Sequence, residues 1–344
     1  MALEVRTLTP AEEPLWDAFV DAHPQGSPFH LLAWKKTLEG AFGYQPEYVV
    51  AIDSGKLRGV LPLFLIRNPI MGRVLLSSPF AMYGGILADS AETLAAISAH
   101  VAHLAKRFDV QYLELRNRFP EQCTGFDRIE RYVDFVQPTT ITGEEQLLEA
   151  LPKKTRNMVR KTMKHAYSSR ITQDLGAFYR LMTHSYRRLG TPIFPRSYFA
   201  GLLRNFGPIA DLREILLDGK VAAASINFLY HGEMHTFYAA SDQNLLHAAP
   251  NNYMYFDYLL WAARNGFPRF DFGRSKLDTG TYEFKRHWLT EMSELPYEIL
   301  LVKRKDLPNF SPKNPKFELA LKIWQRMPLV VTRLLGPRLI RLFP

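Results

Sequence analysis

The chain has 344 residues, 47% of them hydrophobic and 22% charged, which is the make-up of a globular protein long enough for two ordinary domains. Its single cysteine, Cys123, excludes an intrachain disulfide and any metal site built on several thiolates. The net charge of +9 is unevenly placed: residues 303–344 hold ten Lys/Arg against two acids, and 153–170 hold seven with none, so anionic partners are expected at two places.

Taken in order, helical patterns are predicted at 11–22 and 30–39. "YVVAIDSGKLRGVLPLFLI" (48–66) then reads as strand, tight turn, strand, with Asp53-Ser54-Gly55-Lys56 at the turn. An extended run (82–89), a helix with Leu94, Ile97, Val101 and Leu104 on one face (91–107), a short buried strand (110–117) and a last strand (132–138) follow. After 144–170, predicted as a helix, a Pro152 break and a strongly basic helix, the order recurs. Helices are expected at 174–189 and 197–205, and a hairpin at 212–230 turns at Asp218-Gly219-Lys220. An extended run (234–241), a helix (250–265) and strands at 268–275 and 296–304 complete the second round. The chain therefore reads as one α+β unit written twice. The expected boundaries are 1–143, a basic helical linker 144–170, a second domain 171–305 and a basic amphipathic tail 306–344.

The stretch "FDFGRSKLDTGTYEFKRHW" (270–288) leaves a buried strand, breaks at Gly273 and ends in cations and aromatics. Gly273-Arg274-Ser275 with Gly280-Thr281-Tyr282 and Phe284-Lys285-Arg286-His287-Trp288, supported by "LPKKTRNMVRKTMKHA" and "AAPNNYMYFDYLLWAARNGFPRFDFG", resembles the FemAB/FemX family of non-ribosomal peptidyl (aminoacyl) transferases. The branch it looks most like is the FemAB-related one beside exosortase/PEP-CTERM exopolysaccharide systems. The resemblance implies two tandem GNAT-like domains, each a mixed, mainly antiparallel sheet flanked by helices. It also implies transfer of an aminoacyl or acyl group from a tRNA ester or CoA thioester to an amine or hydroxyl on a cell-envelope or exopolysaccharide precursor. No tightly bound cofactor and no metal are expected, and aminoacyl-tRNA or acyl-CoA is the donor. The Gly-rich pyrophosphate loop of ordinary CoA-using acetyltransferases is missing, because "SDQNLLHAAPNN" (241–252) stands in its place.

Acyl transfer needs aligned substrates, a stabilised oxyanion and an exit for one proton. The family places the lysine of the Phe-Lys pair at the transfer centre, which assigns that role to Lys285, with Phe284 beside it. Lys285 is expected near the surface, so that its removal would spare folding. Asp271 reads as a base or as an arginine partner. Arg274 offers a bidentate anion contact or pairs with Asp271 or Asp278. Tyr282 meets substrate or packs, and Trp288 walls the site. Tyr186, Arg187 and Arg196 surround a Gly-Thr-Pro loop suited to a sugar phosphate, and equally read as helix-surface residues. In "SPFHLLAWKK", Lys36 or Lys35 reaches for phosphate, Trp34 reads as core, and His30 packs. Asn251 and Asn252 read as helix N-caps, or as contacts to a donor carbonyl.

No Gly-x-Ser-x-Gly element and no His-Glu-x-x-His spacing is present, which removes the common hydrolase and metalloprotease readings. Two rivals stand: a CoA-dependent N- or O-acetyltransferase of exopolysaccharide biosynthesis, and a basic RNA-binding protein. Arg156, Arg160 and Lys164 are expected on one helix face against a polyanion. No segment reads as a signal peptide and no apolar run spans a bilayer, so a cytoplasmic protein is expected. The tail, with Phe317, Leu321 and Trp324 and then Val330, Val331, Leu334 and Leu335, suits an anionic membrane surface or its own domain.

Overall fold

The computed structural model describes residues 3–306 and 315–344, without the side chains of 315–320. Lys313 of the expected tail therefore lies outside the described residues, and so do the side chains of Lys316 and Phe317. The chain divides into two compact units, one of 1–131, 294–314 and 338–344, the other of 132–293 and 315–337.

In the first unit, Glu4–Thr7, Val49–Asp53, Lys56–Leu61 and Leu87–Ala88 form one antiparallel sheet. The hairpin closes through Ser54 (φ 52°) and Gly55 (φ 77°), the left-handed pair that a two-residue turn requires. Pro62 lacks an N–H for the ladder, and past it the chain joins a second sheet. That sheet runs in the order Gln45–Pro46, Leu63–Asn68, Gly72–Ser77, Tyr112–Leu115, Tyr297–Leu301, Asp127–Ile129. The helix Ala91–Arg107 turns Ile97, Val101, Leu104 and Ala105 onto Val49, Leu61, Leu75 and Leu113.

In the second unit the sheet order is Tyr167–Thr172, Ala210–Leu217, Lys220–Tyr230, Glu233–Ser241, Arg269–Asp271, Tyr132–Pro138, Ser275–Lys276. Its core joins Phe135, Met234, Phe270 and Phe272 to Tyr255, Tyr258 and Leu259 of the helix Pro250–Arg264.

The expected boundaries miss two pairings. Tyr132–Pro138 was placed at the close of the first domain, yet it pairs with Arg269–Asp271 and Ser275–Lys276 of the second unit. Tyr297–Leu301, placed at the close of the second, pairs with Tyr112–Leu115 and Asp127–Ile129 of the first. Both strands are apolar runs of ordinary length, and a strand's own residues do not name its partner. The linker differs too. Its basic helix spans only Lys153–Thr162, and Tyr167–Thr172 is a strand paired with Ala210–Leu217. Lys164 lies past the end of that helix, so Arg156, Arg160 and Lys164 do not share one helical face.

Candidate active site

Two strands of the second unit part company. Glu233–Ser241 and Arg269–Asp271 run parallel and pair at Glu233–Arg269, Met234–Phe270 and His235–Asp271, where the ladder stops. On its other side, Glu233–Ser241 carries a bulge: Thr236 faces Asn227 and Tyr238 faces Ile226, so Phe237 has no opposite number. Past Asp271 the chain turns at Gly273 (φ 79°), and the Asp271 carboxylate accepts the Gly273 N–H.

The chain then forms the short helix Gly280–Lys285, capped by Thr279, whose Oγ1 accepts the Tyr282 N–H at 3.3 Å. Lys285, its last residue, points inward and is 8% exposed. Its Nζ donates to Gly273 O at 2.6 Å and to Arg274 O at 3.1 Å. Burial drives the Lys285 amine down to about 8, while the charges of Asp271 and Asp134 pull it back up and Arg274 pushes it further down. Asp271 and Asp134 are themselves 0% and 1% exposed, and His235 Nδ1 stands 3.6 Å from Asp271 Oδ2. The expectation of a surface lysine is therefore corrected. The six-residue helix turns Lys285 into the protein, where it forms a buried charged centre with two carboxylates.

Beside this centre lies a group of phenols. Tyr198 and Tyr238 share a hydroxyl hydrogen bond of 3.1 Å. Burial holds the Tyr186 and Tyr238 hydroxyls well above the ordinary tyrosine range, with the charge of Arg274 opposing in both cases. The Arg274 guanidinium lies over the Tyr132 ring, 4.5 Å from its centroid. Arg274 is thus electrostatically coupled both to Lys285 and to the phenols.

The other candidates divide. Phe284 is half-buried and packs on Tyr255 and Trp288. Trp288 is 3% exposed and belongs to the core, not to a site wall. Tyr282 packs edge-on against Phe135. Arg187 donates to Met327 O, and Arg196 lies 3.7 Å from Asp174, so both are engaged away from Lys285. Lys36 is an exposed residue of the helix Leu32–Phe42 in the first unit, where its charge opposes the upward, burial-driven shift of Asp17. Trp34 and His30 are core, as expected; Lys35 pairs with Glu13 at 2.8 Å. Asn251 and Asn252 are not caps: Ala249 (φ 58°) occupies the cap position of Pro250–Arg264, with no side-chain bond. Asp134, His235 and Tyr238 were missed. Their signal was present, a titratable residue inside an otherwise apolar strand in "YVDFVQP" and "MHTFYAA".

Residues 153–286 match the family model described as an acetyltransferase (GNAT) domain. The match identifies an acyltransferase domain, and the matched stretch contains Lys285, Asp271, His235, Arg274 and the three phenols. No curated protein matches the sequence. Among solved structures, the crystal structure of FemX is similar over 92% of this chain and 100% of its own, at 16% identity and a TM-score of 0.68. The C-terminal domain (DUF2156) of a putative lysylphosphatidylglycerol synthetase from Agrobacterium fabrum is similar over 92% and 96%, at 10% identity and 0.59. A tandem GNAT protein from the clavulanic acid biosynthesis pathway is similar over 89% and 100%, at 12% and 0.54. At these identities the likeness establishes the fold, a GNAT-like one with mixed sheets flanked by helices.

Proposed function

We propose that the protein is a FemAB-like acyltransferase. It moves an aminoacyl or acyl group from a tRNA ester or CoA thioester to an amine or hydroxyl of a cell-envelope or exopolysaccharide precursor, on the cytoplasmic side. The branch proposed is the one associated with exosortase systems. The observation that carries the reading is Lys285, a buried lysine beside the point where two parallel strands separate. In this reading the acceptor attacks the donor carbonyl, and the oxygen takes up negative charge. Lys285 has three N–H donors, and two of them are committed to carbonyls. The third faces the developing oxyanion in a site of low dielectric. The C–S or C–O bond then breaks, and the proton lost by the acceptor is returned to the leaving thiolate or ribose oxygen. Asp271 acts as a positioning residue, holding the Gly273 turn and the charge balance around Lys285. Arg274 meets an anionic part of a substrate, Phe284 keeps water from Lys285, and Tyr186 and Tyr282 contact the acceptor. Arg187 and Arg196 are proposed only as outer supports of substrate binding, Trp288 as a support of the Lys285 helix, and Lys36 as a separate anion contact on the first unit.

The likeness to FemX and to a putative lysylphosphatidylglycerol synthetase supports an envelope acceptor and an aminoacyl donor. The matched acetyltransferase model supports acyl-CoA. Incubation with labelled acyl-CoA and labelled aminoacyl-tRNA, each with an envelope-precursor extract, separates the donors by which label is consumed. Consumption of neither label, together with tight salt-sensitive binding of arbitrary RNA, would favour the RNA-binding alternative and sink this reading.

A further inference from the structure

The helix Leu329–Ile340 is apolar on two sides. Its buried side carries Thr332, Gly336 and Ile340. The side it turns to solvent carries Val330 (73% exposed) and Leu334 (68% exposed), flanked by Val331 and Leu335. A helix free to choose would leave no second aliphatic side in water.

The orientation is nevertheless fixed. A Cβ on Gly336 would lie 2.7 Å from Ile193 Cγ2 and 2.9 Å from the Ile193 backbone N, so only glycine allows this approach. The preceding helix, Pro315–Arg326, is anchored as well. Trp324 is buried and donates its Nε1–H to Thr191 O at 3.2 Å, and the Gln325 side chain donates to Arg188 O at 3.0 Å. Arg187 reaches Met327 O at 3.1 Å. The fold thus holds four aliphatic side chains in water on a docked helix.

The charge around them has one sign. Residues 321–337 contain Lys322, Arg326 and Arg333, all exposed, and no Asp or Glu. A second copy of the chain on this face would bring Arg326 and Arg333 against their own equivalents across a stretch, 321–337, that carries no Asp or Glu. An anionic bilayer answers both features, since acyl chains accept the aliphatics and lipid phosphates accept the cations. The helix has 12 residues, and no helix among the described residues is long and apolar enough to cross a membrane. We propose that this face is a membrane-docking surface, in which Val330, Val331, Leu334 and Leu335 enter the headgroup boundary of an anionic bilayer and Lys322, Arg326 and Arg333 bind its phosphates. The inference is independent of the acyl-transfer reading, because vesicle binding needs neither donor nor acceptor.

The test is co-sedimentation of the full chain with phosphatidylcholine vesicles with and without phosphatidylglycerol. Binding is expected only with phosphatidylglycerol and is expected to weaken as salt rises. Val330→Ser with Leu334→Ser should lower the partition coefficient at least about 10-fold. Lys322→Glu with Arg326→Glu should do the same, and an unchanged thermal midpoint checks that each exposed pair leaves folding intact. Equal binding to neutral vesicles, or wild-type binding by either double variant, overturns the proposal. So does light scattering that finds a dimer which Val330→Ser with Leu334→Ser dissociates, with no vesicle binding by either form.

Discussion

The two units repeat one arrangement and finish it differently. In each, a short buried strand follows the long helix and pairs in parallel with one neighbour: Tyr112–Leu115 with Gly72–Ser77, and Arg269–Asp271 with Glu233–Ser241. A buried cation follows soon after. In the first unit it is Arg116, and it is saturated. It bonds Glu114 at 2.8 Å, the carbonyls of Ser78 and Ala81, and Pro344 O at 3.2 Å. Asn117 next to it donates to Glu298, which also accepts the N–H groups of Thr124 and Gly125. In the second unit the cation is Lys285. Its two hydrogen bonds are to neutral carbonyls, and its proton is held more loosely than an ordinary lysine's. A closed network makes structure; a cation that retains a free donor and an easily lost proton can do chemistry.

The comparison breaks first if Arg116 proves dispensable. Arg116→Ala leaves Glu114 buried without its cation, which typically costs about 3–5 kcal/mol. Urea unfolding measures this, and turnover per folded molecule should stay near wild type. A loss below about 1 kcal/mol would mean the first unit's network is as open as the second's.

The next effect is at Lys285. Lys285→Met keeps most of the packing and removes the charge, and kcat should fall roughly 10²–10³-fold. Because the amine sits at about 8, wild-type activity that depends on the cation should fall as pH rises through that value. Lys285→Arg should lose this falling limb, since a guanidinium stays charged, without recovering full turnover. Stability should move the opposite way. Between about 8 and the ordinary lysine value the unfolded chain holds a proton that the folded one has released, so wild-type stability rises with pH there and that of Lys285→Met does not. Near-normal turnover in Lys285→Met with the true substrates would return this lysine to a structural role.

The sequence shows the elements of this site better than its surroundings. The helix 91–107 and the strand 132–138 have the bounds read from their patterns, since apolar periodicity is a local property. That strand's partner is not local, and the reading placed it in the wrong unit. Lys285 was visible through its motif, but its burial was not. Burial depends on a single turn of helix capped by Thr279, too short to leave a periodic signal, and on Asp134 and His235 arriving from strands distant in sequence. The tail's apolar residues were legible, while the side they face is decided by one glycine meeting Ile193.

A third prediction concerns the first unit's own buried base. His30 Nε2–H donates to Gly85 O at 3.0 Å, which leaves Nδ1 to accept the Ser27 hydroxyl at 2.7 Å. Burial lowers this imidazole to about 4. Below about 6.5 the unfolded chain takes up a proton that the folded one refuses, so stability should fall with pH from there down to about 4, by at most about 3 kcal/mol. His30→Gln should flatten that slope while Lys285→Met leaves it unchanged. An identical slope in His30→Gln would place the acid sensitivity elsewhere.

The smallest effect sharpens the comparison most. The first unit's long helix is capped by Ser90, whose Oγ accepts the Thr93 N–H at 3.1 Å, whereas its counterpart Pro250–Arg264 begins at Ala249 with no side-chain cap. Ser90→Ala should therefore cost about 1 kcal/mol in urea unfolding. Asn251→Ala and Asn252→Ala should cost less than about 0.5 kcal/mol, because neither residue caps anything. If the Asn251 and Asn252 side chains instead meet the donor carbonyl, their alanine variants should raise the donor KM severalfold with kcat held, and Ser90→Ala should leave it alone. Asparagine variants that lose stability as Ser90→Ala does, with KM unchanged, would show that these side chains serve the helix and that the difference between the units rests on Lys285 alone.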